Sequence, residues 1–173
     1  LAAGQEPKYL NTSQTPLFDK SGSVYGIDRA GEEARRADRI VVVEGYMDVV
    51  ALAQHGVDHA VATLGTSTTP AHVQKLFRQS DRVIFCFDGD AAGRKAAWRA
   101  LENALPVLAD GKNAGFVFLP EGEDPDDFVR RRGKAAFEAL IDRAMPASEF
   151  LLAELCAQHP PTSLEGGAAL VAA

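Results

Sequence analysis

The stretch RVIFCFDGDAAGRKAAWRAL, from Arg82 to Leu101, determines the fold class. Its apolar residues Val83 to Phe87 are consecutive, which is typical of a strand buried on both faces of a parallel sheet. Asp88-Gly89-Asp90 follows at once, and an alanine-rich run that favours a helix comes next. The stretch therefore predicts a strand, a turn with two mutually repelling carboxylates, and a helix.

The same alternation of strands and helices extends over residues 37–132. Apolar runs predict strands at 39–44, 59–65, 82–87 and 114–120, with helices between them. We expect Thr69 to cap the second helix, with Pro70 in its first turn, and Pro106 to kink or end the third helix. This order predicts an α/β fold, a parallel four-stranded sheet flanked by helices on both faces.

The flanks of this region have a different character. Residues 1–36 are rich in turn formers, and we expect them to be the loop-rich edge of a neighbouring subdomain. Residues 133–173 predict a helical extension with a break at Pro160-Pro161. Because the chain begins at Leu1 and ends in EGGAALVAA, we expect it to be an internal piece of a longer protein.

Composition excludes several classes of protein. Among 173 residues, 46% are hydrophobic, but no apolar run approaches the roughly 20 residues of a membrane span. No secretory signal is present, so we expect a cytoplasmic protein. The two cysteines are isolated, which argues against zinc, and Cys86 is expected in the core. The net charge of −6 argues against a simple basic DNA-binding module.

Carboxylates follow three of the four predicted strands. Glu44 follows the first, with Asp48 one helical turn later, and Asp88 and Asp90 follow the third. The fourth leads into PEGEDPDDF, which contains Glu121, Glu123, Asp124, Asp126 and Asp127. Since parallel strands end at one edge of a sheet, these groups are expected to converge. Oxygen ligands alone, without histidine or cysteine, favour Mg²⁺ or Mn²⁺.

Simpler interpretations of single residues remain open. Asp88 or Asp90 is equally suited to capping the following helix. The acidic loop is equally suited to lying in solvent without binding a metal. Arg94 is placed either to contact a nucleotide phosphate or to pair with the acidic loop. The segment LGTSTTP, residues 64–70, is expected to cap the second helix and shape the floor of the site, and phosphate contact is its alternative. We expect Trp98 in the core and His59 on the surface.

Longer strings of residues resemble a known family. EGYMDVVALAQ, LGTSTT, DGDAAGRKAAWRAL and GEDPD, with PKYLNTSQTPLFDKSGSVYGI upstream, resemble the bacterial DnaG-type DNA primases from about Pro7 to Leu155. The shorter pattern of a strand-end Glu-Gly, a DxD and an acidic loop is similar to the wider Toprim group. The resemblance implies a Toprim, Rossmann-like domain at 37–132, between a remnant of the N-terminal core subdomain and the start of a helical subdomain.

The resemblance also implies a function. Such a protein synthesises RNA primers on single-stranded DNA by nucleotidyl transfer from NTPs, at the replication fork in the cytoplasm. Two or more Mg²⁺ or Mn²⁺ ions are implied, with Glu44, Asp88 and Asp90 as principal ligands and Asp48, Asp124 and Asp126 beside them. The resemblance assigns nucleotide and template contacts to Lys8, Tyr9, Asn11 and Lys20, with ordinary solvated positions as the alternative for the two lysines. Arg94 joins this set because it opens the third helix close to the predicted metals.

Further partners are implied by the same resemblance. They are an RNA–DNA hybrid, the alarmone (p)ppGpp, and a replicative helicase reached through a domain outside this sequence. The zinc-binding module of such proteins also lies outside it, so we expect this chain alone to be inactive in priming. Two alternatives remain: a Toprim nuclease or topoisomerase fragment, and a non-catalytic module that binds a nucleotide, an alarmone or a partner protein.

Overall fold

The computed structural model of the chain describes residues 21–64, 67–160, 167 and 171–172. Its strands are β1 (Val24–Tyr25), β2 (Ile40–Val43), β3 (Ala60–Thr63), β4 (Arg82–Phe87), β5 (Asn113–Phe118) and β6 (Met145–Pro146). Its helices are α1 (Ile27–Ala37), α2 (Tyr46–Gln54), α3 (Pro70–Phe77), α4 (Ala91–Ala104), α5 (Pro125–Asp142) and α6 (Ala147–Gln158). None of the helices in these ranges has both the length and the hydrophobicity that crossing a membrane requires.

The strands form one sheet in the order β1-β3-β2-β4-β5-β6. The four inner strands are parallel, which confirms the predicted parallel sheet and the α/β fold class. The outer strands β1 and β6 pair antiparallel to their neighbours. Each has only two residues, which is too few to show a hydrophobic period, so neither strand was predicted.

Helices cover both faces of the sheet. One core packs under α1, α3, α4 and α6, and the other packs under α2 and α5. Successive residues of β4 alternate between the two, since Phe85 enters the first core and Cys86 the second. Cys86 is 1% exposed, which confirms it as a core residue, and burial raises the pKa of its thiol.

The ends of the helices follow the local sequence. The hydroxyl oxygen of Thr69 accepts a hydrogen bond from the amide of His72 at 3.2 Å, so the predicted cap of α3 is confirmed. The long helix α4 ends just before the 3₁₀ turn that contains Pro106, also as predicted. Within α5, Gly133 has a φ of 79°, a left-handed conformation that interrupts the helix and that glycine adopts without strain.

The two predicted domain limits both fall within helices of the structure. The first, at 36/37, lies in the last turn of α1, and the core residues Ala30 and Ala34 of this helix pack onto the sheet. The second, at 132/133, coincides with the interruption of α5. The division into 1–36, 37–132 and 133–173 stays a prediction.

The strand order creates a crevice at the centre of the sheet. β2 continues through α2 to β3 on one side, whereas β4 continues through α4 to β5 on the other side. The two connections start from adjacent strands and diverge onto opposite faces. In open α/β sheets, ligands bind at the carboxyl ends of the strands where the order reverses in this way.

A charged network closes the opposite end of the sheet. Arg39, whose side chain is 13% exposed, forms salt bridges with Glu138 and Asp142 of α5. His59 lies beside them, 6% exposed, with its Nε2 atom 3.9 Å from a carboxylate oxygen of Glu138. The expectation that His59 lies on the surface is wrong. Its pKa is lowered by burial, although the Glu138 carboxylate opposes this effect.

Removing the guanidinium of Arg39 should destabilise the protein. The substitution Arg39→Ala leaves Glu138 partly buried without its partner, and we expect a loss of about 2–4 kcal/mol in the free energy of unfolding. Arg36 is the control, because its only partners among the described residues are the exposed Glu32 and Glu33, so Arg36→Ala should cost less than about 1 kcal/mol. Equal losses in urea denaturation of the two variants would contradict this account.

Candidate metal centre

Glu44 and Asp48 lie where β2 passes into α2. Glu44 directly follows the strand, and Asp48 occupies the first turn of the helix. A carboxylate oxygen of Asp48 accepts a hydrogen bond from the amide of Gly45 at 3.2 Å. This bond fixes Asp48 below the end of the strand, in a half-buried position next to Glu44.

Asp88 and Asp90 lie at the end of the neighbouring strand β4. Asp90 caps α4, since its Oδ1 atom accepts a hydrogen bond from the amide of Gly93 at 2.7 Å. The capping interpretation therefore applies to Asp90. Asp88 makes no such bond among the described residues, and its side chain is half-buried at the mouth of the crevice.

The third acidic segment begins α5. Asp124 caps this helix by accepting a hydrogen bond from the amide of Asp127 at 2.7 Å. Asp126 is engaged by Arg130, at 2.8 and 2.9 Å from its two oxygens. Among the residues of the acidic loop, Asp124 therefore presents its charge to the crevice, and the charge of Asp126 is paired on the helix surface.

The carboxylates of the three segments repel one another across the crevice. Burial raises the pKa of Asp48 to about 6, and the charges of Asp124 and Asp88 add to the effect. The pKa of Glu44 is raised by partial burial and by Asp88 and Asp90. The pKa of Asp88 is raised by burial, then by Asp124 and Asp90. The predicted convergence is thus present for Glu44, Asp48, Asp88, Asp90 and Asp124, hereafter the carboxylate cluster.

Three helix N-termini partly offset this repulsion. The helices α2, α4 and α5 all begin at the carboxylate cluster, with Asp48, Asp90 and Asp124 accepting amide hydrogen bonds in their first turns. The positive end of each helix dipole faces the negative charges. This contribution is modest, typically about 0.3–1 kcal/mol for each helix, so the pKa values of Glu44, Asp48 and Asp88 remain raised.

Two glycines allow the segments to approach each other, and the sequence analysis missed both. A Cβ atom on Gly89 would lie 2.0 Å from the carbonyl oxygen of Leu119, which follows β5. A Cβ atom on Gly93 would lie 2.1 Å from the carbonyl oxygen of Asp88. Both contacts are with backbone, which cannot move aside, so glycine is required at both positions. Their spacing in the string DGDAAG was the only signal available.

The carboxylate cluster suits hard divalent cations. Its donors are all oxygen atoms, and no salt bridge among the described residues involves any of its members. In the same ranges, no three acidic, histidine or cysteine side chains are arranged around one point as ligands of a single ion. Mg²⁺ usually takes one or two carboxylates and completes its shell with water and phosphate oxygens, so the residues present fit it.

The other predicted site residues have varied positions. Arg94 donates a hydrogen bond to Glu154 of α6 at 3.2 Å and lies over the ring of Phe118 at 4.9 Å, so the alternative pairing with the acidic loop is not found among the described residues. Its contact with a nucleotide stays a prediction. Trp98 packs against the core, as predicted. The predicted nucleotide-binding and template-binding residues Lys8, Tyr9, Asn11 and Lys20 lie outside the described residues.

The comparisons with known proteins agree with this architecture. Residues 41–129 match the model of the Toprim-like family, and the chain belongs to this family. It is 54% identical over 164 residues to the DNA primase of Escherichia coli, a match that covers 95% of this chain and 28% of that protein. The chain thus spans about a quarter of the length of the curated relatives that it matches.

Solved structures give the same likeness. A DNA primase domain from Pseudomonas aeruginosa superposes with a TM-score of 0.91 at 54% identity, covering 96% of this chain and 52% of that one. A DnaG primase catalytic domain bound to single-stranded DNA superposes with a TM-score of 0.91 at 52% identity, covering 97% of this chain and 54% of that one.

Neutralising Asp48 should stabilise the metal-free protein in a pH-dependent way. Its pKa of about 6 in the folded state exceeds the ordinary value of 3.8, so ionisation destabilises the fold as the pH rises from about 4 to 6. Asp48→Asn should therefore raise the free energy of unfolding by about 1–2 kcal/mol at pH 8, since solvent partly screens the charge, and by little at pH 4.

The measurement is urea denaturation at both pH values in the presence of a chelator. The control is Asp110→Asn, at an exposed position without a salt bridge among the described residues, which should change stability little at either pH. A gain from Asp48→Asn that is the same at pH 4 and pH 8 would contradict the proposed repulsion.

Adding a methyl group to Gly93 should disrupt the turn after β4. Although alanine favours helices, the Cβ atom added by Gly93→Ala would overlap the backbone carbonyl oxygen of Asp88, and we expect a loss of at least about 2–3 kcal/mol in stability. The matched control is Gly31→Ala in α1, where the added Cβ would meet only the end of the Gln79 side chain. That variant should change stability by less than about 1 kcal/mol, and thermal unfolding compares the two.

Proposed function

We propose that the chain is the metal-binding catalytic part of a DNA primase, which synthesises short RNA primers on single-stranded DNA. The observation that carries the proposal is the carboxylate cluster at the reversal point of the sheet, with the raised pKa values of Glu44, Asp48 and Asp88. The similarity to DNA primases, at 54% identity to the Escherichia coli protein, supports this reaction over others that acidic clusters perform.

The cluster is proposed to hold two or more Mg²⁺ or Mn²⁺ ions. Glu44, Asp88 and Asp90 are the principal ligands in this proposal, because they follow adjacent strands and face the same crevice. Asp48 and Asp124 lie beside them, and Asp126 contributes after release from Arg130. Bound cations would neutralise the clustered charge and stabilise the negative charge that develops during phosphoryl transfer.

The proposed reaction is nucleotidyl transfer. The 3′-hydroxyl oxygen of one nucleotide attacks the α-phosphorus of the next, a new phosphodiester bond forms, and the bond to pyrophosphate breaks. The hydroxyl proton passes to solvent or to a carboxylate of the cluster. The carboxylates of this chain supply the negative charge at the site. Because Gly89 and Gly93 have no side chain, β4, β5 and α4 can approach closely around the reacting groups.

Several partners follow from the proposed reaction. Single-stranded DNA is the template, and a related DnaG catalytic domain has been solved in complex with it. NTPs are the substrates and an RNA–DNA hybrid is the product, with Lys8, Tyr9, Asn11, Lys20 and Arg94 proposed as contacts. A replicative helicase and (p)ppGpp are further proposed partners, at the replication fork in the cytoplasm. The chain alone is proposed to be inactive in priming.

The two alternatives have less support. A topoisomerase would need a nucleophilic tyrosine, and the ring of Tyr46 packs 5.8 Å from that of Tyr25 beside the acidic turn. A non-catalytic docking module would use the carboxylates without a cation. Under that alternative, neutralising one carboxylate would leave synthesis unchanged.

The proposal is tested in a chimera, in which this chain replaces the matching segment of the Escherichia coli primase. The chimera should synthesise primers, and Asp88→Asn within it should lower the rate by at least about 100-fold, because a principal cation ligand is lost. Primer synthesis is measured by incorporation of labelled ribonucleotides on a single-stranded template.

The control for this test is Asp81→Asn at the opposite end of β4. Asp81 pairs with Lys112 on the surface, and its loss should change the rate by less than about twofold. Thermal unfolding verifies that both variants are folded. An active chimera whose rate survives Asp88→Asn would overturn the proposed role of the cluster.

A further inference from the structure

A polar cavity opens beside the carboxylate cluster, on the face of the sheet that α3 and α4 cover. Its volume is about 330 Å³, and Glu44 is one of the residues that line it. The lining also includes Arg99 of α4 and the hydroxyl residues Thr63, Ser67 and Thr68, which follow or end β3. No motif in the sequence points to a role for Arg99.

Arg99 lines this cavity and carries a positive charge. The guanidinium makes no salt bridge within the described ranges, neither with Glu102 one turn later nor with Glu44 across the cavity. Ala96 lies one turn earlier on α4 and also lines the cavity, and its small side chain takes up little of this space. In a protein with a net charge of −6, an unpaired arginine beside an open polar cavity suits an anion.

The threonines supply further donors. Thr63 and Thr68 are each 7% exposed, and their side-chain hydroxyls make no hydrogen bond with other described residues. Neither hydroxyl is among the buried side-chain atoms that lack a partner, and both residues line the cavity, so these two hydroxyls are available to donate to a ligand there. Guanidinium and hydroxyl donors that line one cavity match the oxygen atoms of a polyphosphate.

We infer that this cavity is a phosphate subsite, in which Arg99, Thr63 and Thr68 hold the β- and γ-phosphates of the incoming nucleoside triphosphate. The inference rests on the proposed function, because a cation at Glu44 and Asp88 is what brings phosphates close to carboxylates. After transfer the same groups hold the leaving pyrophosphate. Arg99 thereby places the leaving group on the α4 side of the crevice, away from α5.

The test is the binding of magnesium pyrophosphate to this chain, measured by isothermal titration calorimetry. Arg99→Ala should weaken binding at least tenfold, because the guanidinium supplies charge-assisted hydrogen bonds. Thr68→Val, which keeps the shape of the side chain, should weaken binding severalfold. Lys95→Ala is the matched control on the same helix: it removes the same charge outside this cavity and should change binding less than twofold.

The outcomes separate this inference from the proposed function. Mn²⁺ binding, followed by electron paramagnetic resonance, should be unchanged in Arg99→Ala and weakened in Asp88→Asn. The inferred subsite is contradicted if the wild-type chain binds no pyrophosphate, or if Arg99→Ala and Lys95→Ala bind it equally well. Either result would leave the proposed metal centre unaffected. If Asp88→Asn binds Mn²⁺ as the wild type does, the proposed metal centre is contradicted instead.

Discussion

The repulsion among carboxylates at the ends of β2 and β4 is the constraint on which the rest of the site depends. Glu44 and Asp88 follow adjacent strands whose connections diverge onto opposite faces of the sheet. The crevice that results is where a ligand fits, and it is also where negative charge accumulates. Burial and mutual repulsion raise the pKa of both groups, so the metal-free fold holds charge that it does not neutralise itself.

The rest of the fold stabilises the protein against this charge repulsion. Apolar cores on both faces fix the strands, and phenylalanine rings such as Phe85 and Phe116, 5.4 Å apart, pack between neighbouring strands. Three helices direct their N-termini at the charges. Two glycines admit the backbone contacts that bring β4, β5 and α4 together at the crevice. Removing the charge should therefore stabilise the protein and remove the proposed function, a trade-off expected of an active site.

The sequence predicted the features that have strong local signals. Apolar runs marked the four parallel strands, and Thr69 and Pro106 marked helix ends, because each acts through its nearest neighbours. Features set by distant contacts were missed. His59 was misplaced because Glu138 and Arg39, which surround it, are far away in sequence. The partner of Arg94 lies on α6, and the need for Gly89 arises from the carbonyl group of Leu119. Arg99 had no signal, since its cavity forms only when β3 and α4 meet.

An anomalous-difference map from a crystal of this chain soaked in Mn²⁺ tests the central claim most directly. The account predicts peaks at the carboxylates of Glu44, Asp88 and Asp90, each ion in contact with one or two of them, because a divalent cation relieves their repulsion. A map without a peak at millimolar Mn²⁺, with these three side chains ordered and accessible to solvent, would contradict it. In that case the carboxylate cluster would serve as a docking surface, and the proposal that this edge of the sheet is catalytic would have to be abandoned.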